Sequence, residues 1–528
     1  MSTKDPLVEA DAPLCRTPAT QQRLVDRRSL LTGGLGALAA GGSVGLAAGE
    51  PPRVRPRHAQ RPRVVGPSRN PRTKYDPLIL KLLKRATFGF SGETYDQAAA
   101  LGYEGFLEWQ LGHLSIDDSE LDARLAPYDT LTMTSEQIVA TYPNMAGVPV
   151  GQLTEAAILR AVYSKRQLFE RMVEFWTDHF NIDILDGVCK YLKTADDRDV
   201  IRQYAMTSFP ELLNASAHSA AMLFYLDNYT NVVGHAQENY ARELMELHTL
   251  GVDGGYTQAD VEEVARCLTG WTFAGPNHPT LDYGTFLFLP GQHDNGAKVV
   301  LGTNIPSGGG VNDGLTVLSL LANHPNTAGF ISRKLCVRFL GYDPPDDIVE
   351  TVKDTYLATG GDIKEMLRVI LQQPVLTYLS TPKFKRPFHL AVSMLRAADA
   401  ELTSARFVGA EIQIMGQLPF YWSPPDGYPD KLESWATSVL PRWDFASLFF
   451  DSQIPGALVN PTALLNSEGG SAPGEQAAAV DRILTGGALS DDEVTAMQDF
   501  YDTAPPPTGS VVRDLFGLGA SMPGFQWY

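Results

Sequence analysis

From Tyr75 to the end of the chain, apolar residues recur at three- and four-residue intervals, and this period constrains the fold more than any other feature. Leu78, Ile79, Leu80, Leu82 and Leu83 begin a first short helix. Between Thr154 and Phe180, at about 100° per residue, Ile158, Val162, Phe169, Val173, Trp176 and Phe180 fall in one stripe. Glu170, Glu174 and Asp178 fall away from it, and the pattern predicts one long helix. Further helical patterns lie near 197–207, 236–250, 257–270, 313–323, 326–340, 361–372, 386–398, 434–450, 490–502 and 509–519. Thr257 with Asp260 three residues on is a helix-start pattern, and Gly251 suits the stop of the preceding helix. Strand signals are few. Tyr283, Phe286 and Phe288, then Pro290-Gly291, Asn295-Gly296 and Val299-Val300-Leu301, predict one hairpin-like insert over 283–302. The expected class is mainly α: a multi-helix globular body over 75–528 with a small β-hairpin insert.

The first 74 residues carry a different composition. Arg27-Arg28 precede an uncharged, Gly/Ala-rich run from Ser29 to Gly49 that ends in Ala47-Ala48-Gly49. A basic segment, a modest apolar run and small residues at its end predict a twin-arginine signal peptide over 1–49. The run is too glycine-rich and short for a bilayer span of about 20 strongly apolar residues, so no transmembrane span is expected after processing. Residues 50–74 form a Pro-rich linker with eight basic residues between 51 and 74 and no acidic one there. The expected location is periplasmic or extracellular. Residues 1–75 hold 13 Lys/Arg and 5 Asp/Glu, and the remainder holds 30 against 56. An acidic body of this kind does not suit a polyanion, which argues against nucleic acid. Of four cysteines, Cys15 precedes the apolar run. Cys189, Cys267 and Cys336 are an odd set without zinc-ligand spacing, and Cys267 and Cys336 lie in amphipathic helical patterns as small hydrophobes.

The densest run of chemistry is Gln237–Gly251. On a helical wheel Glu238, Arg242, Glu246, Asn239 and Glu243 share an arc of about 140°, and apolar residues with His248 occupy most of the rest. A helix apolar over more than half its circumference is expected to sit deep. Its polar stripe must then pair internally or line a cleft. Three carboxylates around one arginine suit acid–base chemistry or metal binding, since the cation favours ionised neighbours while crowding opposes them. The same stripe equally describes an internal salt-bridge network. A divalent metal is compatible with it, but Glu243 and Glu246 at i, i+3 are half of a di-iron pattern and no Glu-x-x-His accompanies them. His248 points away, and a core or helix-end role suits it.

Other candidates are weaker. His179 lies beside the Trp176 stripe and points inward, as a core histidine or as a base. His293, Asp294 and Lys298 lie in the hairpin region, outside any core pattern. Trp271 follows a Leu268-Thr269-Gly270 run. Trp435, with Ser423-Pro-Pro-Asp426-Gly427, forms an aromatic, proline-rich stretch that suits a sugar-sized pocket or simple packing. No Gly-x-Ser-x-Gly elbow, phosphate loop or His-Glu-x-x-His is present, so serine hydrolase, nucleotide enzyme and zinc protease lack their signatures.

Leu82-Leu83-Lys84-Arg85-Ala86-Thr87-Phe88-Gly89, Trp176-x-x-His179-Phe180, Glu238 through His248, Asp260-Val261, Leu268-Thr269-Gly270-Trp271, His293-Asp294, Lys298 and the closing Met522-Pro523-Gly524-Phe525-Gln526 together resemble the bacterial family of unknown function numbered 1800. Gln237 departs from the asparagine expected there. The resemblance implies an exported protein, often the neighbour of an exported sulfatase-like family, and hence envelope or polysaccharide work. Two functions follow as expectations. One is an exported hydrolase of an envelope or extracellular polymer or glycan, with Glu243, Glu246, Arg242 and His179 as catalytic set and Glu238, Asn239, His293, Asp294, Lys298, Trp271 and Trp435 in binding. The other is a non-catalytic envelope or secretion partner, for instance of the sulfatase-like protein, whose polar stripe is structural.

Overall fold

The computed structural model describes residues 75–528 other than 279, 438 and 505–508. The expected signal peptide over 1–49, the expected basic linker over 50–74 and Cys15 lie outside the described residues. The described chain is mainly helical, with three two-stranded antiparallel sheets. Among the described residues no helix is long and apolar enough to cross a membrane. Local sequence sets many helix starts. Asp76 accepts from the Leu78 N–H at 2.8 Å and Pro77 opens the Pro77–Ala86 helix. Thr257 and Asp260 form the expected capping box of Gln258–Cys267.

Apolar faces meet in two large clusters. One gathers Leu82, Trp176, Phe209, Val264 and Leu335 from helices Pro77–Ala86, Gln167–His179, Phe209–Ala217, Gln258–Cys267 and Pro325–Phe339. The other gathers Phe388, Leu395, Phe450, Val480 and Phe516 from Pro387–Ala397, Leu440–Phe450, Gln476–Thr485 and Gly509–Ser521. Cys189, Cys267 and Cys336 are free and buried.

Two sequence expectations are corrected. The long helix over 154–180 is two helices, Gly147–Tyr163 and Gln167–His179. At the break, Asp118 accepts from Ser164 Oγ (2.6 Å) and the Lys165 N–H (2.7 Å), while Gln167 Nε2 donates to the carbonyls of Ala161 and Ser164. Remote side chains thus satisfy the groups that an unbroken helix would have paired. The single hairpin over 283–302 is also absent. Phe286–Phe288 pairs antiparallel with Trp271–Phe273, and Lys298–Val300 pairs with Thr303–Ile305. Leu301 (φ 49°) and Gly302 (φ 75°) make the latter turn, both with the positive φ of a tight hairpin.

Candidate functional site

The 237–250 run begins as the α-helix Glu238–Glu243 and continues as the π-helix Leu244–Thr249, where the Leu250 N–H reaches the Met245 carbonyl at 2.9 Å. The wider turn breaks the 100° rule used on the sequence. The stripe is only partly enclosed, and part of it pairs internally. The Glu238 and Arg242 side chains are 37% and 39% exposed and pair at 2.9 Å. Gln258 bridges them, accepting from Arg242 at 2.9 Å and donating to Glu238 at 2.7 Å. Glu246 lies 3.4 Å from the Tyr256 hydroxyl, and Asn239 and Glu243 are half-buried.

The hairpin-region candidates form a separate, internal staple. Lys298 Nζ donates to Asp313 at 2.6 Å and His293 Nε2 lies 3.2 Å from the same oxygen. Asp294 is gripped by Arg266, which also holds Glu263. Trp271 is buried between Gly314 and the His218 ring, and Trp435 packs with Phe384 and Tyr428 while its indole donates to the Pro429 carbonyl at 2.8 Å. His179 meets the helix that carries the stripe at the His248 carbonyl.

His179 belongs to a different and more unusual centre, built on the helix Gln167–His179. The polar residues that fall away from its apolar stripe are not turned to solvent. Glu174 meets Arg171 (3.2 Å), Arg338 and Arg386 (2.5 Å), and the other arm of Arg386 holds Asp178 at 2.7 Å. One guanidinium therefore forks two carboxylates one helical turn apart. Burial would raise the Glu174 carboxyl, but Arg338, Arg386 and Arg171 outweigh it and hold it below the usual range. At Asp178 burial wins over Arg386 and its pKa rises.

The helix Pro325–Phe339 contributes Lys334. Its Nζ donates to His179 Nδ1 at 2.8 Å, and His179 Nε2 donates to the His248 carbonyl at 3.0 Å. These two bonds fix a neutral imidazole, and burial, then the Lys334 charge, pushes its pKa well below the ordinary value. Burial lowers Lys334 itself to about 8, against the fields of Asp178, Asp426 and Asp430. Asp178 and Lys334 are thus displaced toward each other by one cause, desolvation. The 419–430 loop closes this side. Asn181 Nδ2 donates to the carbonyls of Trp422 and Pro424, both at 2.8 Å. A Cβ at Gly427 would lie 1.9 Å from the Asp178 carbonyl, so only glycine allows that approach. A cavity of about 50 Å³, room for a few waters, is lined by Glu174, Thr177, Asp178, Gln417 and Tyr428 among others.

Sequence reasoning missed Arg171, Glu174, Asp178, Lys334, Arg338 and Arg386. The available signal was the charged face of the 167–179 helix opposite its apolar stripe. Among the described residues no three His, Cys, Asp or Glu side chains are gathered as metal ligands.

The model of the family described as "Protein of unknown function (DUF1800)" matches residues 81–527. The chain belongs to this family. The match covers the second apolar cluster, all of the first but Ile79, Leu80 and the Tyr75 packed against it, and Asp178, His179 and Lys334. No curated protein and no solved structure matches the chain.

Proposed function

We propose that this DUF1800 member is an exported hydrolase of an envelope or extracellular polymer or glycan, working at Asp178 and Lys334. The observation that carries the proposal is a carboxyl raised by burial beside a cavity, Asp178, whose field reaches an ammonium lowered to about 8, Lys334. General acid–base catalysis needs groups that exchange protons near the working pH. Asp178, steadied by Arg386, takes a proton from water, and Lys334, steadied by His179, gives one to the leaving oxygen. Glu174 stays ionised and fixes the guanidinium fork. The Glu238–Glu246 stripe, half-exposed and charged, contributes polymer contacts rather than chemistry. Export rests on Arg27-Arg28 and the run that follows them.

The test is reducing-end release from a panel of neutral and acidic polysaccharides by the exported chain. Asp178→Asn and Lys334→Met are expected to abolish turnover in chains that still fold, as checked by circular dichroism. Turnover that survives Asp178→Asn, or no turnover by the wild type on any polymer, defeats the proposal.

The half-exposed stripe favours a second reading, a non-catalytic partner of the exported sulfatase-like protein. In that case charge reversal at Glu238 and Glu246 abolishes complex formation with that protein, and Asp178→Asn leaves it intact.

A further inference from the structure

Around Glu174 and Asp178 the buried cations outnumber the side-chain carboxylates that face them. Arg85, Arg171, Arg338, Arg386 and Lys383 face three carboxylates, Glu174, Asp178 and Asp430. The hydrogen bonds are as uneven as the charge. Arg85 donates through Nη2 to the Thr381 carbonyl at 2.5 Å, and its Nη1 has no partner. Nε and Nη2 of Arg171, Nε of Arg338 and Nε2 of His389 are also unpartnered. These residues are nearly sealed from water: Arg171 is 0% exposed, His389 1%, and Arg85 and Arg338 3%. Buried guanidinium donors are costly to leave idle, and proteins ordinarily pair them.

Three of these side chains stand around the half-buried ring of Tyr528, and the Arg171 guanidinium also lies 5.1 Å from the centre of the Phe88 ring. The guanidinium carbons of Arg85 and Arg171 stand 4.9 and 5.9 Å from its centroid, and the His389 ring stands 4.4 Å away. The field at this point is strongly positive. Burial would raise the phenol, yet Lys383, Arg171 and Arg338 bring its pKa below the ordinary value. Next to the ring lies a void of about 10 Å³ lined by Lys385 and Ser393 among others, the room of a single water.

We propose that this cluster is an oxyanion site, and that a divalent tetrahedral anion, sulfate or phosphate, takes the place of the Tyr528 ring. Such an anion supplies negative charge to a cluster in which cations outnumber the side-chain carboxylates. Its oxygens accept the idle N–H groups of Arg85, Arg171 and Arg338, and planar guanidinium forks suit oxyanions better than ammonium groups do. The anion is either a free ion or an ester group on a polymer. The site uses other atoms than the Asp178–Lys334 pair, and it stands whether or not that pair hydrolyses anything.

The test is calorimetric titration of the exported chain with sodium sulfate and sodium phosphate against sodium chloride at matched ionic strength, and with dextran sulfate against dextran. The wild type is expected to bind at least one oxyanion over chloride. Tyr528→Ala, which vacates the seat, tightens binding several-fold, and Arg171→Gln weakens it at least tenfold. If Arg171→Gln does not fold, Tyr528→Ala decides. Binding of the inorganic ions alone assigns a free anion, and dextran sulfate binding displaced by inorganic sulfate assigns an ester. Oxyanion titrations indistinguishable from chloride in both the wild type and Tyr528→Ala overturn the proposal. So does a folded Arg171→Gln that binds as the wild type does.

Discussion

His248 provides a quantitative test of how dry the interior beneath the 238–250 helix is. The residue is 1% exposed, and neither ring nitrogen has a hydrogen-bond partner. Its ring lies 5.0 Å from Phe180 and 6.5 Å from Tyr240. Burial, then the Lys334 charge, lowers its pKa from the ordinary 6.5 to about 3. Between these values the unfolded chain binds a proton that the folded chain refuses. Stability is therefore full above about pH 6.5 and declines as the pH falls toward 3. At pH 5 the loss from this one group is about 2 kcal/mol, against almost nothing at pH 8. His248→Leu keeps a similar volume and removes the proton site. Its absolute stability reflects repacking, so the informative quantity is the difference between wild type and variant at two pH values. Urea unfolding midpoints and slopes at pH 8 and pH 5 give that difference. The variant is expected to gain about 2 kcal/mol on the wild type on going from pH 8 to pH 5. A difference that is equal at both pH values refutes the argument, because it means that His248 protonates freely in the folded chain.

Other substitutions probe the remaining parts of the argument. Asp313→Asn leaves Lys298 buried without its carboxylate and is expected to cost about 3–5 kcal/mol in urea unfolding. Glu174→Gln strips Arg171, Arg338 and Arg386 of a shared counter-charge, and a loss of similar size, about 3–5 kcal/mol, is expected in the same measurement. Gly427→Ala places a Cβ against the Asp178 carbonyl at φ +72°. It is expected to displace the 419–430 loop, lowering the melting temperature and any polymer turnover together. Gln258→Ala removes the bridge between two half-exposed charges, and less than about 1 kcal/mol is expected.

Much of the helical frame was legible because its period is local. The cap at Thr257 and the stop at Gly251 need only neighbouring residues to work. The break at 164–166 was not legible, since the groups that stabilise it come from Asp118, and Gln167 also spends its oxygen on the Phe88 N–H, 79 residues away. The strand pairing failed for the same reason. Phe286–Phe288 has the right composition, but its partner is Trp271–Phe273, a strand that the Leu268–Trp271 motif disguised. In the stripe, the wheel assumed a uniform α-helix, and the π-helix at Leu244–Thr249 changes the angular step where Glu246 and His248 sit. A wheel also measures only one helix. It shows which residues share a face and is silent on what covers that face.

The 167–179 helix turns that silence into the main lesson about the site. Its charged face carries the same residue types as a solvated face, and the sequence offers no way to tell the two apart. The cover comes from Arg338 and Arg386, 164 and 212 residues beyond Glu174. These arginines also explain where the centre stands. The helix contributes Trp176 to one apolar cluster, while Arg386 immediately precedes Pro387–Ala397, which builds the other. The Arg386 fork on Glu174 and Asp178 therefore ties the two clusters at their seam. Buried charge at such a seam adds less stability than well-packed hydrocarbon would. A packing role alone does not account for three carboxylates, five cations and idle donors in one place. The hydrolysis proposed above would account for them, and it predicts that apolar replacement of the Glu174–Arg386 pair removes polymer turnover.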